Sequence, residues 1–432
     1  MNRSERARRA LVWVCLPLAI YLLAAVILTW PLARHLTTHA AGAGYGDAYE
    51  VIRHIWWARE ALLDGHNPFA QTLLVYPDGF TSWLQWSHPL QYLFPTLPAL
   101  VVSPLTAFNL AILIVLALNG LAAYWLGMHL AGRNVLAALL GGLVFLAFPA
   151  VQGHLSVGHL GIVTLWPVPL FALCLWRIER KGAGWRTAAW GGLWFALAAL
   201  ANVSQPVYVL LPLLLFYGLY ALLWDRARLV ERGAAWGRQP WLRVIGMVAF
   251  GCALLLPFYL PLLTESGQDE LGDVAETGRV AFSTDPLGFL SPSPFGPLGD
   301  AGLVPGYARD VLATNSAEGS AYLGLVALAL ASVALARRSE ARPWLVIALG
   351  AMLFSLGPLL KWRDAPVILR VEDFTSYVTL PWALFERLPF VDASRTPGRF
   401  NVATGLAISA LVSIGSGVIL ARLRRRALRA GL

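Results

Sequence analysis

"MNRSERARRALVWVCLPLAIYLLAAVILTW" (Met1–Trp30) sets a basic flank before a run with no charged residue from Leu11 to Trp30. A run of about 20 apolar residues matches the bilayer core and exceeds the 7–15 of a signal peptide. It is read as an uncleaved first span with the N-terminus in the cytoplasm. The rest of the chain repeats the pattern. Of 432 residues, 58% are hydrophobic and only 13% charged, and the mean hydropathy is +0.62. Soluble domains carry about 25% charged residues, so the chain is an integral membrane protein.

The net charge of +9 does not point to nucleic acid, because the arginines stand in short clusters between apolar runs. Lys181 and Lys361 are the only lysines. The basic loops Trp176–Arg186, Asp225–Arg243, Ala336–Arg342 and Ala421–Ala430 mark the cytoplasmic side and fix the order of spans. Between them fall spans at Ala107–Leu130, Val135–Pro149, Gly161–Trp176, two within Thr187–Trp224, then Val244–Leu263, Tyr322–Ala336, Pro343–Leu359 and Asn401–Ala421. The expectation is an all-α polytopic protein of about ten transmembrane helices with both termini cytoplasmic. It forms one domain, 1–432, with no separate soluble part. The proline-broken "HPLQYLFPTLPALVVSP" is too short to span and reads as a juxtamembrane helix. Segments 32–87, 264–320 and 360–400 then share the extracytoplasmic face and hold most of the acidic residues. Cys15, Cys174 and Cys252 lie within apolar runs and suggest neither a disulfide framework nor a metal cluster.

The first of these segments contains "AGAGYGDAYEVIRHIWWAREALLDGHNPF" (Ala41–Phe69). Its helical pattern gathers Ile52, Ile55, Trp56, Leu62 and Leu63 toward one face and Glu50, Arg53, His54 and Glu60 toward others. Asp47 stands where an N-cap would. The same carboxylate, held at the membrane surface, suits a general base that takes a proton from an attacking hydroxyl.

After Gly46-Asp47 and the amphipathic helix comes "G-x-NPF…YP-x-G" (Gly65, Asn67, Pro68, Phe69, Tyr76, Pro77, Gly79). This order resembles the GT-C superfamily of polytopic glycosyltransferases that use polyprenyl-phosphate-linked sugars, and within it a poorly characterised bacterial group. "GHLGIVTLWPVPL" (Gly158–Leu170), "EGSAYLGLVALAL" (Glu318–Leu330), "FSLGPLL" (Phe354–Leu360) and "LPFVDASRTPGRF" (Leu388–Phe400) carry the resemblance over most of the chain. The resemblance implies inverting sugar transfer on the extracytoplasmic face, with Asp47 in the place of the general base. Many members carry two adjacent acidic residues there, whereas here Ala48 and Tyr49 separate Asp47 from Glu50.

A departing lipid phosphate needs cationic donors, and Arg395 and Arg399 precede the last span on the side where positive charge is disfavoured. They are the candidate phosphate contacts; snorkelling to headgroups or pairing with Asp392 is the alternative. Arg279, Arg309, Arg363 and Arg370 are weaker candidates. His154 and His159 end a span near the surface, and with Glu50, Glu318 and Tyr322 they are substrate-binding candidates. The two imidazoles could ligate a divalent metal with Asp or Glu from another loop, but their five-residue spacing does not stack them on adjacent helical turns, so sugar or phosphate hydrogen bonding is the preferred reading and no metal or other cofactor is expected. Glu318 and Tyr322 are read one turn apart at the start of a span, lining the cavity or capping the helix. Trp56, Trp57, Trp83 and Trp86 suit an interfacial belt. The expected partners are a polyprenyl-phosphate sugar, an acceptor glycan, lipid or protein, and membrane lipid. A secondary transporter or a non-catalytic cell-envelope assembly protein is the rival reading. The first should show related halves or paired broken helices near the bilayer midplane, and the sequence carries sign of neither; an enzyme should bring Asp47, His154, Arg395 and Arg399 together.

Overall fold

The computed structural model describes residues 11–42, 44, 46–80, 87–226, 239–265, 278–295, 302, 316–385, 388 and 395–429. The principal helices are α1 (Leu11–Leu28), α2 (Ala48–Leu63), α3 (Pro89–Ala99), α4 (Pro104–Leu130), α5 (Val135–Ser156) and α6 (Leu160–Lys181). They continue with α7 (Trp185–Ala201), α8 (Pro206–Trp224), α9 (Gln239–Glu265), α10 (Leu325–Arg337), α11 (Arg342–Ser355) and α12 (Asn401–Arg429). Local chemistry sets several starts. Ser103 accepts from the Thr106 amide at 3.1 Å ahead of Pro104, and Asn134 accepts from Ala137 at 3.1 Å.

This is an α-helical membrane protein, and among the described residues seven helices are long and apolar enough to cross a bilayer: α1, α4, α5, α6, α8, α9 and α12. The expectation of about ten is not met. Three further spans were expected where α7, α10 and α11 lie, but these have only 17, 13 and 14 residues. At about 1.5 Å per residue they fall short of a hydrocarbon layer of about 30 Å. α3, with Pro95 and Pro98 inside its 11 residues, is the short helix expected there.

α12 is the core of the bundle. It packs against α4, α5, α10 and α11 and is buried along nearly its whole span. Ser409 Oγ on α12 donates to the Gly141 carbonyl of α5 at 2.8 Å, a close approach that small residues permit between helices in lipid. α1 and α9 lie at the periphery with most of their apolar side chains uncovered, as lipid-facing helices require.

α5 and α6 are both interrupted, α5 between Leu146 and Pro149 and α6 between Val163 and Pro167. Backbone groups freed inside a membrane need internal partners. Buried Asn119 of α4 supplies them for α6, donating to Val163 O at 2.7 Å and accepting from the Leu165 amide at 3.0 Å. Gln205 donates to Gly161 O and Thr164 O at 3.2 and 3.1 Å. Asn109, also on α4, holds the loop before α2: its amide donates to Leu36 O and His39 O, both at 2.8 Å, and its oxygen accepts from Ala41 N at 3.1 Å.

Two short antiparallel hairpins interrupt the all-α expectation within 360–400. β1 (Lys361–Trp362) pairs with β2 (Ala365–Pro366), and β3 (Ile368–Val371) with β4 (Phe374–Tyr377). α2 also departs from its expected orientation. It packs on α3 and α4 through Ala48, Val51, His54, Ile55, Ala58 and Ala61, leaving Trp56, Leu62 and Leu63 exposed. Small alanines let the helices approach closely, and His54 is buried by stacking on Tyr92 at a centroid distance of 4.3 Å.

Candidate functional site

Asp47 occupies the N-cap position of α2 but makes no side-chain cap bond. Its carboxylate turns away from the helix to His159, whose Nε2 lies 3.0 Å from Oδ2, and the side chain is 62% exposed. The backbone enforces this. Asp47 N donates to Val157 O at 3.0 Å, and Gly46 passes so close to the Val157 carbonyl that a Cβ would strike it. Gly158 has φ +77 and packs against Ala48. Gly46→Ala is therefore expected to destabilise the fold by about 1–3 kcal/mol through overpacking. Gly44→Ala, whose Cβ would meet nothing within 4 Å, serves as control. Unfolding midpoints of the two variants in detergent check this.

The turn at Val157–Gly158 also separates the helical end that carries His154 from the next helical start, so the argument from helical spacing does not apply. The two imidazoles face each other, Nδ1 to Nδ1 at 3.1 Å, with ring centroids 5.4 Å apart. His154, 1% exposed, lies with Nε2 3.6 Å from Glu318 Oε2. Glu318, 5% exposed, takes a bidentate contact from Arg399: Nη2 to Oε1 at 2.8 Å and Nε to Oε1 at 3.0 Å. Arg399 Nη1 reaches Ser204 Oγ at 3.4 Å.

Asp47, His159, His154, Glu318 and Arg399 thus form one continuous row at one end of the bundle, drawn from four separate stretches of chain. Electrostatics follow from the pairing. The hydrogen bond from His159 lowers the pKa of Asp47; partial burial opposes it, and Arg399 and Arg395 reinforce it. Burial pushes the Glu318 carboxyl up, but Arg399 and the neighbouring imidazoles outweigh burial and hold it below the usual range. Glu50 is raised by burial and by Asp47.

The other sequence candidates divide. Arg395 is exposed, with its guanidinium carbon 5.9 Å from the Phe282 ring centroid, and its charge acts on Asp47. Arg399 is not free for a phosphate, because Glu318 engages it. Asp392, Arg309, Trp83 and Trp86 lie outside the described residues. Glu318 and Tyr322 are not one turn apart on a span: the helical turn Ser316–Gly319 ends first, and an extended stretch leads to α10. Glu318 is a buried counter-charge, and no described contact joins Tyr322 to the row.

Three contributors escaped the sequence reading: His88, Asn202 and Ser204. His88, partly buried, bonds Ser87 Oγ through Nδ1 at 2.6 Å and faces Asn202; burial, then Arg399, push its pKa down to about 4. Asn202 and Ser204 come from "NVSQP", read only as a turn; polar residues crowded into a turn between apolar helices were the available signal. The segment Thr396–Phe400 is fixed by Tyr208, whose hydroxyl accepts from Thr396 N at 2.9 Å.

His154, His159 and Glu318 place one donor atom each within 4.8 Å of one another. A cavity of about 520 Å³ lies beside the row, not at it. Leu28, Trp30, Leu32 and Phe295 give it apolar walls, and His35 and His39 a polar one. Gly42, on its rim, packs against Gly158 of the turn that carries His159.

Residues 64–385 match the family described as a domain of unknown function (DUF6311). No curated protein and no solved structure matches the chain. His88, His154, His159 and Glu318 fall within the matched span, whereas Asp47 and Arg399 flank it.

Proposed function

We propose that this chain, which belongs to the DUF6311 family, is a membrane glycosyltransferase that moves a sugar from a polyprenyl-phosphate donor to an acceptor hydroxyl with inversion. The observation that carries the reading is the conformation of Asp47. A carboxylate at a helix start that leaves the cap unmade, stays exposed and is held by an imidazole is placed for chemistry, not for helix stability.

In the proposed reaction the acceptor oxygen attacks the anomeric carbon while the bond to the phosphate oxygen breaks. The phosphate leaves with the bonding electrons, and the hydroxyl proton passes to Asp47 through Oδ1, the oxygen His159 does not hold. Arg395, uncovered and electrostatically coupled to Asp47, is the phosphate contact. Arg399 acts indirectly by fixing Glu318. The cavity at the end of α1 suits the amphiphilic end of the donor, with apolar walls for the first isoprene units.

Among the described residues the basic clusters gather at the opposite end of the helices from Asp47, which supports cytoplasmic termini, an extracytoplasmic site and a GT-C-like arrangement. The row of buried ionisable groups also suits a proton-coupled carrier. Purified protein in lipid, offered a panel of labelled polyprenyl-phosphate sugars, separates the two. Transfer to an acceptor supports the enzyme; proton-linked uptake into vesicles without transfer would replace it.

A further inference from the structure

The contact between His154 and His159 is one that a cation would satisfy. A neutral imidazole carries one N–H. His159 Nε2 faces the Asp47 carboxylate at 3.0 Å and His154 Nε2 faces that of Glu318 at 3.6 Å. Carboxylates only accept, so with each N–H directed toward its carboxylate, each Nδ1 lone pair points inward. The two lone pairs then meet at 3.1 Å.

We infer that a divalent transition-metal ion of the zinc type sits between the Nδ1 atoms of His154 and His159, with Glu318 the carboxylate in reach as a further ligand. Two nitrogens bound at about 2.0–2.1 Å in a tetrahedral shell stand about 3.3 Å apart, close to the separation found. His159 already has the outer partner that metal-bound histidines keep: a carboxylate on the nitrogen that does not bind, fixing tautomer and orientation. Asp47 is that partner, and Glu318 Oε2 faces His154, while Oε1 takes the stronger contacts of Arg399. A small swing of Oε2 exchanges the His154 edge for the ion. The charged and titratable groups around the pair are Asp47, Glu50, His88, Glu318, Arg395 and Arg399. Two of the three carboxylates touch the imidazoles directly.

The site stands apart from the transferase reading, because binding of an ion needs no donor sugar. The test uses the full chain without a histidine tag, stripped with chelator and held in lipid nanodiscs. Zinc is titrated by calorimetry and cobalt by visible absorption. One ion per chain is expected, lost in His154→Gln and in His159→Gln. Asp47→Asn should weaken zinc affinity about 10- to 100-fold without abolishing it, as loss of an outer carboxylate does. His159 and Asp47 are at the surface side of the row, so those two variants remain informative if the buried His154→Gln fails to fold. No uptake of either metal by the wild type would overturn the site, as would equal uptake by both histidine variants. In either case a proton shared between the rings, seen by nitrogen-15 NMR of the imidazoles, would account for the contact.

Discussion

Sugar transfer by Asp47→Asn is expected to fall about 10²- to 10⁴-fold against the wild type, the span that general-base catalysis supplies. Asparagine keeps the shape of the side chain and can still accept the His159 N–H through its oxygen, so the row beside it should persist. What it lacks is basicity. Donor binding, measured separately by displacement of a labelled polyprenyl-phosphate sugar, should stay within a few-fold of wild type, because Arg395 and the neighbouring cavity are untouched. Equal transfer by both proteins would return Asp47 to a positional role at the start of α2. Weakened metal affinity in this variant is controlled by repeating the assay at saturating zinc.

The second large effect concerns stability. Arg399→Ala removes the guanidinium contacts to Glu318 and leaves a carboxylate of 5% exposure without its counter-charge. Stripping one partner from a buried ion pair costs about 3–5 kcal/mol. Arg399→Lys should recover part of this, since an ammonium restores the charge but not the two-pronged contact. The double variant Glu318→Gln, Arg399→Met should recover more, because no lone buried charge remains. Unfolding midpoints in mild detergent for the four proteins test the order. A double variant less stable than Arg399→Ala would show that the pair contributes through contacts other than its own charges.

Composition and the basic clusters disclosed a helical membrane protein, and the long apolar runs placed α4, α6, α9 and α12 correctly. The number of crossings was not legible, because hydropathy marks where an apolar stretch lies and not how much of it becomes helix: Gly324, at φ +80, delays the start of α10 to Leu325. The members of the row were legible one by one, from ionisable residues set beside apolar runs. Their partnerships were not. His154 and His159 meet because Gly158 turns the chain, which a helical-spacing rule cannot foresee. Arg399 seemed free for a phosphate because Glu318 stands 81 residues away in sequence. The buried face of α2 was missed for a related reason, since alanines and a stacked histidine make a poor hydrophobic stripe and a good close contact.

The burial of α12 bears on how the protein is made. Its partners α4, α5, α10 and α11 all precede it in the chain, so during synthesis they must enter the membrane around a groove that has no occupant. Arg399 stands two residues before α12 and is the far end of the row that starts at Asp47. A nascent chain halted before that point holds two carboxylates and two imidazoles with no guanidinium to complete them. Arrival of α12 therefore closes the bundle and the row in one step, so an incompletely synthesised chain carries no finished site.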